Sequence, residues 1–187
     1  MAALCLLDAR ASTNPASIVR TLERFGEPAL RFAARRGIKI LPLAYGARYD
    51  EMSPALQRLN AGVDDWPAPP AGLFVVEERT IYLKSRSPMT VAHEFGHGLD
   101  CALGEGIYRS SFDAELKELY KNAREFVTPY AATAVDEYFA EGVRAYVECN
   151  DPDSFWPRAT RDRLREIDPG LHACVERLFN TEFGSGA

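Results

Sequence analysis

The sequence predicts an α+β fold, with a small mixed sheet in the N-terminal half and helices in the C-terminal half. Residues 73–76 and 80–83 are short apolar runs separated by three polar residues, which is the pattern of an edge hairpin. Residues 38–43 form another short apolar run and a further strand candidate. After Ser87 the apolar residues recur every three or four positions, as they do in helices.

The length of the chain is typical of one domain. With 187 residues it can bury a substantial core. We therefore expect a single domain over residues 1–187, with a sheet-bearing lobe at residues 1–104 and a helical lobe at residues 105–187. Gly104, which ends the longest predicted helix, marks the boundary between the lobes.

Proline residues mark the starts of the short helices that are predicted before the hairpin. The three starts are Asn14-Pro15, Glu27-Pro28 and Ser53-Pro54. The proline-rich residues 60–72 predict a surface loop. The apolar residues at 1–7 predict a first strand or an ordered N-terminal arm.

The longest predicted helix covers residues 87–103 and begins with a Ser-Pro signal. Amphipathic helices follow it to the end of the chain. One of them is predicted to begin near Ala134, because Thr133 and Asp136 resemble a capping box. Pro169-Gly170 divides the last helical pattern in two.

Charge and hydropathy exclude two classes of partner. The net charge is −5 and no cluster of basic residues is present, so we expect no nucleic-acid partner. No apolar run approaches the ~18 residues that a membrane span needs, so we expect no membrane partner. The N-terminus lacks the basic region of a signal peptide, which predicts a cytoplasmic protein or one exported by a non-classical route. The sequence does not define an oligomeric state.

The four cysteines are expected to be free thiols. They are scattered along the chain, and none forms a CxxC pair. A chain of this size also does not need the disulfide framework of a small secreted domain. They are Cys5, Cys101, Cys149 and Cys174.

The segment VAHEFGHGLD, residues 91–100, contains two of the three histidines of the chain. On a helix, His93 and His97 lie on one face, about 5–6 Å apart at Cβ, so both imidazoles can bind one metal ion. Glu94 lies beside them and can take a proton from a water held by that ion. This spacing indicates a zinc-dependent hydrolase. The alternative is a helix that carries two histidines without a function.

A catalytic zinc ion usually has three protein ligands and a water. His172 has no acidic companion and is the weaker candidate for the third ligand. Glu137 and Glu141 lie four positions apart among apolar residues, where a carboxylate is costly unless it is paired or bound to metal. The alternative is that both are solvated at the edge of their helix. Gly96 and Gly98 weaken the histidine helix by ~1 kcal/mol each, which indicates that another backbone packs closely there.

The segments HEFGHGLD and Y-x6-EYFAE, at residues 93–100 and 130–141, resemble the catalytic domain of anthrax lethal factor and its relatives, the ATLF-like, M34-type zinc metallopeptidases. The bacterial Pro-Pro endopeptidases and the MtfA-type peptidases are related to this family. The resemblance implies a zincin-like fold and an endopeptidase with one zinc ion that acts on a peptide or protein substrate.

The resemblance also implies a role for each matching residue. It implies that His93, His97 and Glu137 bind zinc, that Glu94 is the general base and that Tyr130 stabilises the oxyanion. Glu141 matches a glutamate whose expected role is to hold a ligand histidine in its tautomer. For Asp100 we hypothesise that it orients a ligand or braces the helix.

An extended substrate is expected to add a strand to an open edge of the sheet. Residues 72–76 are the preferred edge, because they lie at a suitable distance before the histidine motif. Residues 80–83 are the alternative. The predicted substrate-binding residues are Gly72, Leu73, Phe74 and Val75.

Three other functions are compatible with the motif. A regulatory protease of the ImmA/IrrE type also uses HExxH with a glutamate on a helix, although EYFAE and Tyr130 fit the lethal factor pattern better. A binding module could carry a zinc ion without peptidase activity. A hydrolase could act on an amide of a small metabolite.

Overall fold

The computed structural model describes residues 1–11, 15–155 and 158–183. The strands are β1 (Lys39–Pro42), β2 (Gly72–Val75) and β3 (Thr80–Leu83). The helices are α1 (Ala2–Cys5), α2 (Ala16–Glu23), α3 (Gly26–Arg35), α4 (Tyr49–Met52), α5 (Pro54–Leu59), α6 (Pro88–Leu103), α7 (Ala114–Asn122), α8 (Val135–Tyr146), α9 (Arg161–Ile167) and α10 (Pro169–Arg177). A π-helical turn, Leu178–Glu182, follows α10. None of the helices in the described ranges is long and apolar enough to cross a membrane.

The three strands form one mixed sheet in the order β1-β3-β2. β1 is parallel to β3, and β2 is antiparallel to β3. β2 therefore lies at an edge of the sheet, and β3 is its central strand. The predicted α+β fold with an edge hairpin is confirmed. Residues 80–83 cannot provide a substrate edge, because both sides of β3 are already paired.

Both faces of the sheet are buried, because alternate residues of a strand point to opposite sides. Ile40 and Ile81 lie on the face that packs in the main core with α6. Leu41 and Tyr82 lie on the other face, in a smaller core with residues of α4 and α5. The long helix α6 is thus supported by the sheet along its buried side.

The predicted Ser-Pro helix starts are confirmed. The Ser53 side chain accepts a hydrogen bond from the amide of Leu56 at the start of α5. The Ser87 side chain accepts one from the amide of Thr90 at the start of α6. Asn14, the predicted cap of α2, lies outside the described residues.

Helices α6 and α8 cross closely at Gly96. A β-carbon on Gly96 would lie 2.9 Å from Ala140 Cα and 3.1 Å from the carbonyl oxygen of Ala140. Any larger residue would therefore collide with the backbone of α8. Gly98 faces the sheet instead, where a β-carbon would lie 3.2 Å from a methyl group of Ile38. The prediction that another backbone packs against the histidine helix is confirmed at Gly96.

The N-terminal residues form a short helix, Ala2–Cys5, so the predicted strand is wrong there. Ala3 in the helix and Leu6 at its C-cap are both buried, and they lie three positions apart. This spacing matches a helix face better than the alternation of a strand. Leu7 then pairs with Ile40 of β1, so the N-terminal segment is an ordered arm.

The prediction of a capping box at the start of α8 is also wrong. The N-cap residue of α8 is Ala134, which makes no side-chain capping bond. The Thr133 hydroxyl donates instead to the carbonyl oxygen of Tyr130, at 2.8 Å. The preceding turn uses the hydroxyl that a capping box would need.

The four cysteines are free, as the sequence predicts. Cys5 is exposed, and the other three are buried. Burial raises the pKa of the Cys149 and Cys174 thiols to about 11. These two side chains therefore remain neutral and pack as small apolar groups.

Candidate metal centre

Three potential metal ligands meet between α6 and the start of α8. His97 Nε2 lies 3.1 Å from His93 Nε2 and 3.2 Å from Glu137 Oε2. His93 Nε2 lies 3.1 Å from the same oxygen of Glu137. Within the described ranges, no other group of three or more His, Cys, Asp and Glu side chains has the geometry to hold a metal ion.

The triangle formed by these three atoms fits a zinc ion. Zinc binds nitrogen and oxygen ligands at about 2.0–2.2 Å in a tetrahedral arrangement, which places neighbouring ligand atoms roughly 3.3 Å apart. The observed separations of 3.1 and 3.2 Å are close to that value. Two histidines and one carboxylate also leave a fourth position for water, as in catalytic zinc sites.

The positions of the three side chains follow from two helices. His93 and His97 lie one turn apart on α6. Glu137 lies in the first turn of α8. The close crossing of α6 and α8 at Gly96 brings this first turn within reach of both histidines.

The charges of the ligand residues are strongly coupled. Burial lowers the pKa of His93, but hydrogen bonds to the Glu137 and Glu141 carboxylates outweigh burial and raise it to about 10. Burial raises the pKa of Glu137, but hydrogen bonds to His93 and His97 outweigh it and lower the pKa to about 2. A proton on His93 therefore stabilises the metal-free cluster, and metal binding has to displace that proton.

Glu141 is the centre of a buried hydrogen-bond network behind His93. Its Oε1 lies 2.9 Å from His93 Nδ1, so Nε2 of the same ring faces the other ligands. Arg144 donates to both oxygens of Glu141, from Nε at 2.8 Å and from Nη2 at 2.7 Å. The Thr128 hydroxyl donates to Oε2 at 2.5 Å. These contacts hold the carboxylate in one position, and the carboxylate in turn orients the His93 ring.

Glu94 packs against the edge strand β2 at Gly72, where a side chain on the strand would collide with it. A β-carbon on Gly72 would lie 2.6 Å from Glu94 Cγ and 2.8 Å from Thr90 Cγ2. Burial raises the pKa of the Glu94 carboxyl, and the charges of His93 and His97 oppose this. Glu94 thus lies next to the two histidines with little exposure to solvent, in the cleft that they line.

Tyr130 lies at the rim of the cleft. Its hydroxyl donates to Glu137 Oε1 at 3.1 Å, and its ring centroid lies 5.4 Å from that of His93. The side chain is 45% exposed. Partial burial and the charge of Glu137 raise the pKa of Tyr130 above its ordinary value, so the phenol stays protonated and can donate a hydrogen bond.

Tyr108 is a second tyrosine at the centre, and no sequence motif predicts it. Its ring centroid lies 5.4 Å from that of His97 and 6.1 Å from that of Phe74. Burial, followed by the charges of Asp136 and Glu94, raises its pKa, so this hydroxyl is also protonated. It belongs to the segment after α6 that folds back over the helix, which only the tertiary structure reveals.

The contacts of Asp100 favour the hypothesis that it braces the helix. Its Oδ1 accepts a hydrogen bond from the Ser110 amide at 2.9 Å, and its Oδ2 accepts one from the Ser110 hydroxyl at 2.5 Å. Among the residues that the structure describes, no hydrogen bond joins it to His97. His172 packs against the ring of Tyr146 and is not part of the ligand triangle.

The ligands line a cleft of about 440 Å³, and β2 forms one of its walls. Gly72, Leu73 and Phe74, three of the four predicted substrate-binding residues, line the cleft. The side chain of Val75 belongs to the core on the opposite face of the sheet, so only its backbone can contribute to such a site. No strand in the described ranges pairs with the outer edge of β2.

Two residues that hydrogen-bond to Glu141, Arg144 and Thr128, are not predicted from the sequence. Arg144 follows Glu141 by three positions on a buried helix, and this spacing is a signal for an ion pair. Thr128 lies two positions before Tyr130 and has no comparable signal. Its contact with Glu141 depends on how the loop before α8 folds back onto that helix.

No protein-family profile matches the sequence, and no curated protein sequence matches it. Solved structures do match it. One of them is the structure of the Pro-Pro endopeptidase PPEP-2 from Paenibacillus alvei, with a TM-score of 0.67 and 20% sequence identity. The match covers 95% of this chain and 100% of that chain. The two proteins share a fold over nearly their whole length, which confirms the predicted zincin-like architecture.

Proposed function

We propose that this protein is a zinc-dependent endopeptidase of the lethal factor-like, M34-type group. The observation that carries the proposal is the convergence of His93, His97 and Glu137 on one point in an open cleft. Glu94 lies beside that point, and one wall of the cleft is the edge of β2 with which no other strand pairs in the described part of the chain. The fold shared with a solved Pro-Pro endopeptidase supports a peptidase.

The three ligand residues would hold one zinc ion through His93 Nε2, His97 Nε2 and Glu137 Oε2. Bound zinc would supply a Lewis acid for the substrate carbonyl and lower the pKa of a water in the cleft. Glu141 keeps the Nε2 atom of His93 directed at the other ligands, because it occupies Nδ1 of the same ring.

Glu94 would move the proton in this reaction. Its carboxylate would accept a proton from the attacking water as the water oxygen bonds to the carbonyl carbon. It would then donate that proton to the amine nitrogen as the C–N bond breaks. The packing of Gly72 over Glu94 limits the access of bulk water to the carboxylate.

Tyr130 would stabilise the negative charge that develops on the carbonyl oxygen. Its hydroxyl is protonated and already lies within the cluster, at 3.1 Å from Glu137 Oε1. The hydroxyl has one proton, which it donates to Glu137 in this structure, so that proton would turn from Glu137 to the carbonyl oxygen as negative charge develops there.

The substrate would lie extended along the outer edge of β2. Main-chain groups of residues 72–75 are available on this side, because β2 pairs only with β3 in the described part of the chain. Hydrogen bonds between backbones would align the peptide, and the side-chain pockets beside the edge would select its sequence. At Gly72 the peptide would pass directly over Glu94.

Digestion of a random peptide library tests the proposed function. We expect the protein to contain one zinc ion per chain and to cleave internal peptide bonds. Cleavage should stop with a zinc chelator and return when zinc is added. A protein that holds one zinc ion and cleaves none of the peptides would contradict the proposal and indicate a binding module.

Replacing Tyr130 by phenylalanine is expected to lower kcat about 10²- to 10³-fold, because it removes one donor to the oxyanion. Zinc content should not change, because Tyr130 is not a ligand. Tyr45→Phe is the matched control, since Tyr45 is fully exposed and does not line the cleft. Peptide-cleavage kinetics measure both variants, and equal rates for Tyr130→Phe and the wild type would exclude this role.

A further inference from the structure

Tyr130 lies on a short surface turn, Tyr130–Ala132. Both Tyr130 and the preceding Pro129 are exposed. A donor to an oxyanion has to be held within about 0.5 Å of its productive position. Ala131 of this turn is buried in the main core, but the packing of that small side chain does not fix the exposed Tyr130 to this precision, so a directional contact is also needed.

Thr128 supplies such a contact. Its side chain is buried, and its hydroxyl donates to Glu141 Oε2 at 2.5 Å. The same hydroxyl oxygen accepts a hydrogen bond from the amide of Ala131, the residue after Tyr130, at 3.3 Å. One hydroxyl thus joins the tyrosine turn to the carboxylate that orients His93.

We propose that Thr128 is a positioning residue for Tyr130, and that its hydroxyl holds the turn Tyr130–Ala132 at a fixed position relative to the ligand His93. This inference rests on the proposed function. The attachment point is rigid, because Glu141 also accepts two hydrogen bonds from Arg144, which is only 1% exposed. Thr128 therefore connects an exposed turn to the most constrained carboxylate of the centre.

This role requires the hydroxyl of Thr128, and a side chain of the same shape without a hydroxyl cannot replace it. Valine has the shape of threonine but can neither donate nor accept, whereas serine can do both. Thr133 offers a matched control within the same turn. Its hydroxyl donates to the carbonyl oxygen of Tyr130 at 2.8 Å and makes no bond to Glu141.

Steady-state kinetics of three variants test the inference. Thr128→Val should lower kcat roughly 10- to 100-fold, in the range found when a partner of a metal-site residue is removed. KM should change little, because Thr128 acts on the oxyanion donor. Thr128→Ser and Thr133→Val should cleave peptides at nearly the wild-type rate. An unchanged kcat for Thr128→Val would overturn the inference.

A double-mutant cycle identifies the residue through which Thr128 acts. If Thr128 positions Tyr130, then Thr128→Val should have little further effect in a Tyr130→Phe background. The zinc dissociation constant of Thr128→Val should also match that of the wild type, because Arg144 and His93 still hold Glu141. Fully additive losses, or weakened zinc binding, would show that Thr128 acts through His93 instead.

Hydrogen exchange of the Ala131 amide provides a measurement that does not depend on activity. In the metal-free protein, Thr128→Val should exchange this amide at least about 10-fold faster, because it loses its acceptor. Thr128→Ser and Thr133→Val should retain the wild-type protection of this amide. Unchanged protection in Thr128→Val would contradict the proposal that the Thr128 hydroxyl holds the turn. A zinc-loaded wild type without peptidase activity would instead count against the proposed function, since the exchange result does not require catalysis.

Discussion

Replacing Glu94 by glutamine is expected to lower the rate of peptide cleavage by about 10²- to 10⁴-fold while zinc remains bound. Glutamine has nearly the shape of glutamate, so the packing beneath Gly72 is preserved. It cannot accept the proton of the attacking water, so the proposed proton transfer is lost. Zinc binding is retained because the three ligand atoms belong to His93, His97 and Glu137.

The measurement combines zinc analysis with peptide-cleavage kinetics on the same protein sample. Glu77→Gln is the matched control, since it makes the same chemical change at an exposed position in the turn between β2 and β3. It should cleave at the wild-type rate. If Glu94→Gln cleaves as fast as Glu77→Gln, Glu94 is not the general base.

Replacing Glu141 by glutamine is expected to weaken both the fold and the zinc site. Glu141 and Arg144 form a buried ion pair, and removing one charge of such a pair costs about 3–5 kcal/mol. The loss of a carboxylate that orients a ligand histidine weakens zinc binding about 10- to 100-fold. Denaturant unfolding of the metal-free protein and zinc titration measure the two effects. Glu27→Gln, in an exposed ion pair with Arg31, should change neither quantity noticeably.

A double variant separates the two roles of Glu141. Glu141→Leu combined with Arg144→Met replaces the buried pair by apolar groups, which is often neutral for stability. We expect this protein to recover part of the stability that Glu141→Gln loses, since the Thr128 hydroxyl and the Cys149 carbonyl oxygen still lose their partners. Its zinc affinity should stay low, because His93 Nδ1 still lacks its carboxylate partner. Wild-type zinc affinity in the double variant would show that Glu141 does not orient His93.

The sequence predicts the parts of the centre that depend on one helix. His93, Glu94 and His97 lie on α6, and the periodicity of a helix alone places the two histidines on one face. The bounds of this helix also follow from local signals, a Ser-Pro start and a glycine stop. The hairpin follows from two apolar runs and the polar turn between them.

Local sequence patterns gave a wrong prediction in two places, where another contact of the same residues was favoured. The apolar N-terminus has the composition of a strand, but burial of Ala3 and Leu6 against the core favours a helix. Thr133 has the sequence context of a capping residue, but its hydroxyl is used in the turn of Tyr130. At the N-terminus packing against the core decided the local structure, and at Thr133 a hydrogen bond within the preceding turn decided it.

The sequence by itself determined which residues could bind zinc and transfer a proton, because the spacing along α6 and α8 depends only on helix geometry. Tertiary structure decided that Glu137 meets both histidines, since this requires the crossing of two helices at Gly96. It also decided that Thr128 and Tyr108 belong to the centre. Their contacts with Glu141 and His97 join separate elements of the chain, and such contacts depend on how whole elements pack, which no local pattern of residues records.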